Sequence, residues 1–433
     1  MAPISPDIPG FVRLIVERLK AAGHEAYVVG GAVRDVFLNR PVKDWDVVTS
    51  ALAGTIKSIF QDQRQFALRH DTVTLIYSNA QFEVTPFRGA ENDLFGDLSR
   101  RDFTIDAMAF ELDESKVIDP FHGESDIRRR VLRGVGNPRD RFQEDPLRLL
   151  RCIRLAAELR FRIDTETRTA LSETAPLLSS VAPERTRDEL MKILMTPRPS
   201  RSFYLMARTG ILESFLPELI QGYLKRQNHY HRYTIFRHIL ETVDHVEQDP
   251  VLRLAALLHD IAKPRTRIKK GGEWRFYGHE EEGALLAEQI LTRLRLSKEV
   301  TRRATHLIRH HMIGYDSAWS DAAIRRLMRR VGTENIHDLL ALRRADLLAH
   351  GLTKQDLVLT DELEQRVAEQ IRRKVPTGRS DLAVDGNMVM EITGLSAGPA
   401  VGRVLRELNE KVLDHPELNN REDLTAILKF VAT

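Results

Sequence analysis

The chain has 433 residues, 42% of them hydrophobic, and its 65 Lys and Arg against 62 Asp and Glu leave a formal net charge of only +3. That length suits two to four domains with separate cores, and no apolar run approaches the roughly 20 residues that span a bilayer. One cysteine, Cys152, excludes an internal disulfide framework and a thiolate zinc cluster.

The first twenty residues lack the basic, apolar, then small pattern of a secretory signal, so a cytoplasmic protein is expected, with residues 1–9 as a disordered lead. Phe11, Leu14, Ile15 and Leu19 recur at helical spacing, and Gly23 ends a helix over 11–22. Residues 27–49, YVVGGAVRDVFLNRPVKDWDVVT, read as strand, glycine turn, short helix over 32–38, proline-marked turn and strand. Gly30 and Gly31 let the backbone turn sharply and bring amide groups close to a ligand. Asp44 and Asp46 flank Trp45, and in a strand alternate residues share a face. Two such carboxylates repel unless a cation lies between them, and Mg²⁺ suits oxygen ligands and phosphate substrates.

Further strands are expected at 66–69, 73–77 and 81–87, the last offering Glu83 either as a third carboxylate or as a solvent-facing charge. A short loop over 88–99 follows, and then Arg100-Arg101-Asp102-Phe103-Thr104-Ile105-Asp106-Ala107, whose arginines suit a triphosphate through their forked donors. Residues 142–161 read as one amphipathic helix opened by Glu144, Asp145 and Pro146. Asp145 and Arg148 would share a face there. A carboxylate that accepts from an exocyclic amine, beside a guanidinium that donates to a ring acceptor, distinguishes cytosine and adenine from uracil and guanine. The same spacing also describes an ordinary surface ion pair. From Tyr204 onward the pattern is helical, with His238, the adjacent His259 and Asp260, His279, His310, His311 and Asp346 spread over several helices. Imidazoles with carboxylates bind a divalent transition metal, which makes hydroxide from water for hydrolysis. Basic runs at 128–130 and 325–330 suit either solvated helix faces or an RNA backbone track.

These motifs together resemble the class II tRNA nucleotidyltransferase and bacterial poly(A) polymerase family, of the polymerase β-like superfamily. Gly30, Gly31, Val33, Arg34 and Asp35, followed by Asp44 and Asp46, match its first motif. Residues 100–107 match its second, departing at Asp106 where the family has Asn. Asp119, Pro120, Gly123 and Asp126 match a third, expected to join head and neck. Glu144, Asp145 and Arg148 match the motif whose Asp and Arg act as a protein template for the incoming base, and Pro183, Glu184 and Arg185 match a last neck motif that braces it. Arg151 and Arg154 continue the stripe toward triphosphate or RNA. The histidine and aspartate set resembles an HD-superfamily phosphohydrolase domain, with His238, His259, Asp260 and Asp346 as its frame and His279 with His310 or His311, His310 being the preferred choice, as further ligands.

The resemblance implies an α+β chain: a nucleotidyltransferase head of mixed sheet and helices at 1–140, an all-α neck at 141–200, an HD-type helical domain at 201–350 and a helical tRNA-gripping tail at 351–433. It implies template-independent addition of C and A from CTP and ATP to the 3′ end of tRNA, by two-metal phosphoryl transfer on Asp44 and Asp46 with Mg²⁺. Gly30, Gly31, Arg34, Arg101, Asp102, Asp145, Arg148, Arg151 and Arg154 would bind the nucleotide. The short loop at 88–99 suggests an enzyme that adds only the two C residues. The alternatives are a poly(A) polymerase, which lacks an HD half, and a chain whose main activity is HD-type hydrolysis with the head as a nucleotide sensor.

Overall fold

The computed structural model describes residues 8–67, 71–78, 80–89, 92–228, 231–351 and 355–431. The proposed lead, apart from Ile8 and Pro9, and part of the loop at 88–99 lie outside the described residues. Packing divides the chain into two units. One runs to Thr196 and includes Arg201–Phe215; the other comprises Pro197–Ser200 and everything from Leu216 onward.

The first unit begins with a helix, Gly10–Ala21, whose Phe11, Val12, Ile15, Val16 and Leu19 are buried at the expected spacing. Seven strands then form one mixed sheet: β1 (Ala26–Val29), β2 (Asp46–Thr49), β3 (Arg64–Ala67), β4 (Val73–Tyr77), β5 (Ala80–Pro86), β6 (Ala109–Glu111) and β7 (Lys116–Ile118), in the order β3-β4-β5-β2-β1-β6-β7. Only β2 and β5 are parallel, and their register sets Asp46 beside Glu83. β1 runs into Gly30, whose φ of 73° is the left-handed region that glycine enters freely. The helix Gly31–Phe37 follows.

Two sequence expectations need correction here. Asp44 does not lie in the strand; β2 starts at Asp46, and Asp44 is exposed in the segment before it. The expected single helix over 142–161 is two helices, Pro138–Glu144 and Arg148–Leu159. Proline disfavours helical geometry in the residue before it, and Asp145, preceding Pro146, is extended at φ −142° and ψ 96°. The break turns Asp145 out of the helix that carries Arg148. The segment over 88–99 is also partly helical, Leu94–Ser99, with the Asp93 carboxylate accepting from the Gly96 amide.

The motif at 119–126 is structural. Asp119 accepts from the amides of Gly123 (2.7 Å) and Glu124 (3.0 Å), capping the helix Gly123–Arg129. Asp126 is buried and accepts from Thr104 Oγ1 at 2.8 Å and Arg133 Nε at 3.1 Å. The helix Arg148–Leu159 packs on Pro183–Leu194, with Cys152 in the buried seam.

In the second unit, Ile235–His245, Pro250–Leu258, His279–Arg293, Lys298–His310 and Ile336–His350 pack as a bundle. The C-terminal helices Gly386–Thr393, Pro399–Asp414 and Arg421–Val431 close on Val389, Leu408, Val412, Leu424 and Leu428. The basic run at 325–330 serves this packing. Arg325 is buried and donates to the Leu413 carbonyl and Gln370, while Arg326 and Arg329 pair with Glu410.

Gly123 tests how tightly the head is closed. A Cβ there would lie 2.2 Å from the Thr104 carbonyl oxygen, so Gly123→Ala is expected to cost about 1–3 kcal/mol, read as a lower midpoint in denaturant unfolding.

Candidate active site

A cavity of about 390 Å³ opens in the first unit, with Asp46 and Glu83 on the sheet, Gly30 and Gly31 at the turn, and Arg34, Arg101, Arg148, Arg151 and Arg154 around it. Asp46 is a perturbed carboxylate of this wall. Burial, together with the charges of Glu83, Asp44 and Asp106, pushes its pKa up to about 6, although Arg101 pulls the other way. A half-buried carboxylate with further carboxylates beside it fits a divalent cation. Asp44 faces solvent outside the cavity wall but contributes to that field.

Each arginine is held by a carboxylate. Arg101 donates through Nε (3.1 Å) and Nη2 (3.0 Å) to Asp97, which also accepts from the Arg88 amide at 3.2 Å. Its Nη1 crosses Gly30, where a Cβ would come within 2.7 Å of it, so the glycine makes room for the guanidinium as well as the turn. Arg34 binds Asp35 (3.0 Å) and Asp106 (2.6 Å). Burial raises the pKa of Asp106 and the Arg34 charge opposes it. An aspartate therefore fits where an asparagine was expected, because Arg34 compensates its charge. Asp102 bridges Arg148, 2.6 Å from Nε, and Arg151. Arg148 also donates to the carbonyls of Arg141 (2.9 Å) and Arg100 (3.0 Å) and to Glu144 at 3.0 Å. Arg154 is fixed by Glu189 at 2.7 Å and Glu158 at 3.0 Å.

Asp145 stands apart from this set. It faces Arg185, whose Nη1 and Nη2 donate to its two oxygens at 3.2 and 2.8 Å. Burial pushes its pKa up, but the Arg185 hydrogen bonds outweigh this and hold the carboxyl below its ordinary value. Asp145 and Arg148 are thus neighbours across the Pro146 break and do not pair side chain to side chain among the described contacts.

The second unit gathers a different set. Nε2 of His238 lies 3.2 Å from Asp260 and 3.0 Å from Asp346, and Nε2 of His259 lies 3.3 Å from Asp260. His279 and His311 approach the other Asp260 oxygen at 3.4 and 3.8 Å. His310 is not part of the cluster. It packs against His306, with ring centroids 4.6 Å apart, and the adjacent His311 occupies the place expected of it. The Nδ1 atoms of His259, His279 and His311 lie 2.9, 2.6 and 2.7 Å from backbone carbonyls, which turns each Nε2 toward Asp260. Asp260 Oδ1 and His279 Nε2 are buried without a hydrogen-bond partner among the described residues. The candidate ligand atoms lie within 4.8 Å of one another in the triads His238, His259, Asp260 and Asp260, His279, His311, comparable to the roughly 3–4 Å between ligands bonded at about 2.1 Å. The donor set fits a divalent metal. Burial works against charge on His259, yet Asp260 and Asp346 raise its pKa to about 10, so a proton can occupy part of the place of a cation.

Sequence reasoning missed Asp97, His231, His350 and Lys263, and it took Arg185 and Glu189 only as parts of a bracing neck motif, without their partners Asp145 and Arg154. Asp97 was signalled by its position four residues before Arg101. Lys263 and His350 were signalled in the same way, three residues after Asp260 and four after Asp346, whereas His231, packed on His238, joins the cluster only through the fold.

A family model for the poly A polymerase head domain matches residues 26–133, one for the probable RNA and SrmB-binding site of polymerase A matches 160–222, and one for the HD domain matches 231–351. The chain is 33% identical over 420 residues to the A-adding tRNA nucleotidyltransferase of Deinococcus radiodurans, covering 89% of this chain and 91% of the relative. It is 30% identical over 431 residues to a CCA-adding enzyme of Lactobacillus gasseri, covering 96% of each. The chain belongs to the family of CCA-adding and A-adding tRNA nucleotidyltransferases. The crystal structure of the Bacillus stearothermophilus CCA-adding enzyme in complex with CTP superposes with a TM-score of 0.72 at 28% identity, covering 96% of this chain and 95% of that one. A nucleotidyltransferase of this class is metal-dependent.

The His and Asp cluster makes a direct prediction. Wild-type protein dialysed without chelator is expected to retain about one equivalent of a divalent transition metal by elemental analysis, and His259→Ala to retain less than about a tenth of that.

Proposed function

We propose that the chain adds C from CTP to the 3′ end of tRNA, without a nucleic-acid template, as part of building the CCA terminus in the cytoplasm. The observation that carries this reading is the cavity itself, with carboxylates on the sheet and five held arginines facing them, in a chain related along almost its whole length to CCA-adding and A-adding enzymes.

In this reading the first unit is head and neck, and the second is the HD-type domain and tail. The triphosphate lies along the Gly30–Gly31 turn, its oxygens on Arg34 and Arg101, which are oriented before it arrives by Asp106 and Asp97. Arg151 and Arg154, held by Asp102 and Glu189, extend the cationic wall. Arg148 reads the base acceptor. Asp145 reads its exocyclic amine after exchanging the exposed Arg185 guanidinium for the base, so base recognition costs one solvent-screened ion pair. Asp44 and Asp46, with Glu83 beside them, would hold Mg²⁺. That ion would supply charge neutralisation at the α-phosphate and a lowered pKa for the attacking hydroxyl. The tRNA 3′-oxygen attacks the α-phosphorus in line, its bond to the bridging oxygen breaks, and pyrophosphate leaves.

The short segment before the helix Leu94–Ser99 supports a product that stops after two C residues. Asp97 accepts from the Arg88 amide, and Gly89 packs closely on Gly96, so the described part of the segment is tied down beside a pocket that must enlarge for A. The orphaned Asp260 oxygen and convergent imidazoles favour a second activity at the HD centre, hydrolysis of phosphomonoesters or 2′,3′-cyclic phosphates.

One assay tests both readings. With tRNA lacking its terminus and labelled CTP or ATP, the wild type is expected to add two C and no A; full CCA would contradict the limit to C. Asp44→Ala is expected to lower incorporation by at least about a hundredfold and to spare hydrolysis; incorporation at the wild-type rate would contradict the nucleotidyl-transfer reading.

A further inference from the structure

Between the metal-cluster residues Asp260 and His279 the chain leaves the bundle as a small antiparallel hairpin, Ile268–Lys270 with Glu273–Arg275. Residues 264–277, PRTRIKKGGEWRFY, hold five cations and one carboxylate, while the whole chain has a net charge of only +3. Arg265, Lys269 and Lys270 are exposed. The one carboxylate, Glu273, lies 3.1 Å from Arg275.

The hairpin is also aromatic, and its aromatic groups lie in sequence. Its register sets Trp274 opposite Lys269. The Arg267 guanidinium lies 3.5 Å from the centroid of the Trp274 ring, which fixes the indole, and Lys269 Nζ lies 6.0 Å from the same centroid. Tyr277 is 63% exposed. Phe276 continues inward: Lys263 Nζ lies 5.5 Å from its ring centroid and 2.6 Å from Asp260. Cations thus meet aromatic rings at two places, Arg267 and Lys269 at Trp274 on the hairpin, and Lys263 at Phe276 beside Asp260. Cations that track a backbone, interleaved with rings that stack bases, are how proteins bind single-stranded nucleic acid.

We propose that this hairpin docks single-stranded RNA and directs an RNA terminus toward the HD centre. Lys269, Lys270 and Arg265 meet the phosphates and Tyr277 stacks a base, with Trp274 held beside it. The destination rests on the hydrolytic reading of that centre; the docking does not. It is a second RNA-end site, belonging to a different unit from the nucleotide cavity.

The test is fluorescence anisotropy of a labelled single-stranded RNA decamer with full-length protein over a salt series. Lys269→Glu with Lys270→Glu is expected to weaken binding at least about tenfold and to lower the slope of log affinity against log salt by about 1.4, two phosphate contacts at about 0.7 each. Tyr277→Ala is expected to weaken it at least about fivefold. In the wild type, RNA should quench tryptophan emission, and Trp274→Phe should remove that quenching. Unchanged affinity in the charge-reversal and Tyr277 variants would overturn the proposal. So would an equal loss for a duplex of the same sequence, or displacement of the decamer by polyglutamate at matched charge, which would mark an acidic protein as the partner. CTP incorporation at saturating tRNA is expected to be unchanged in the charge-reversal variant; its loss would assign the hairpin to the head's reaction and also overturn the proposal. Failure of docking with incorporation intact leaves the nucleotidyl-transfer reading standing.

Discussion

The parallel pairing of β2 with β5 sets Asp46 next to Glu83, and the rest of the head is arranged around the charge this concentrates. Asp46 is half-buried and Glu83 beside it is exposed, and neighbouring like charges disfavour ionisation of the more buried group. Burial, helped by the charges of Glu83, Asp44 and Asp106 and opposed by Arg101, pushes the Asp46 pKa up to about 6. The glycine turn at Gly30 and Gly31 and the arginines Arg34, Arg101, Arg148, Arg151 and Arg154 line the same cavity as these carboxylates.

The arginines follow a consistent plan. Asp97, Asp102, Asp106 and Glu189 each hold at least one guanidinium near the cavity. The cationic wall is therefore ordered before any phosphate arrives, and less side-chain entropy is lost on binding. The HD centre uses the opposite balance. There the carboxylates Asp260 and Asp346 are surrounded by imidazoles turned inward by backbone carbonyls, a donor set suited to a transition metal. Two different donor sets, one of carboxylates and one of imidazoles with carboxylates, thus lie in separate units of one chain.

Much of this was legible from the residues. The strand, glycine turn and helix at 27–38 follow from Val28, Val29, Gly30 and Gly31, and the seam around Cys152 follows from helical spacing. The mixed sheet, the helical second half and the family follow from motif order. Other features were hidden because they depend on geometry between distant segments. Pro146 was read as a helix starter, but its stronger effect was on Asp145, which left the helix and met Arg185, forty residues away. Asp44 and Asp46 were assigned to one strand, which in fact begins at Asp46. His310 and His311 could not be told apart by spacing, because the helix Lys298–His310 ends between them. Arg325, Arg326 and Arg329 suited either a solvated helix face or an RNA track, and they bind the C-terminal helices.

The most direct measurement is the thermal stability of the protein from pH 5 to 8, with and without Mg²⁺, beside Asp46→Asn. The folded-state pKa of Asp46 is raised above the ordinary carboxylate value, so its contribution to stability is greatest at low pH and is lost as pH rises toward about 6. A cation needs the ionised form. The midpoint gained from Mg²⁺ is therefore expected to be small at pH 5, to grow through about pH 6 and to be largest at pH 7–8, and Asp46→Asn should remove most of it. A gain that is independent of pH, or that survives unchanged in Asp46→Asn, would contradict the claim that these carboxylates are the cation site on which the head is built.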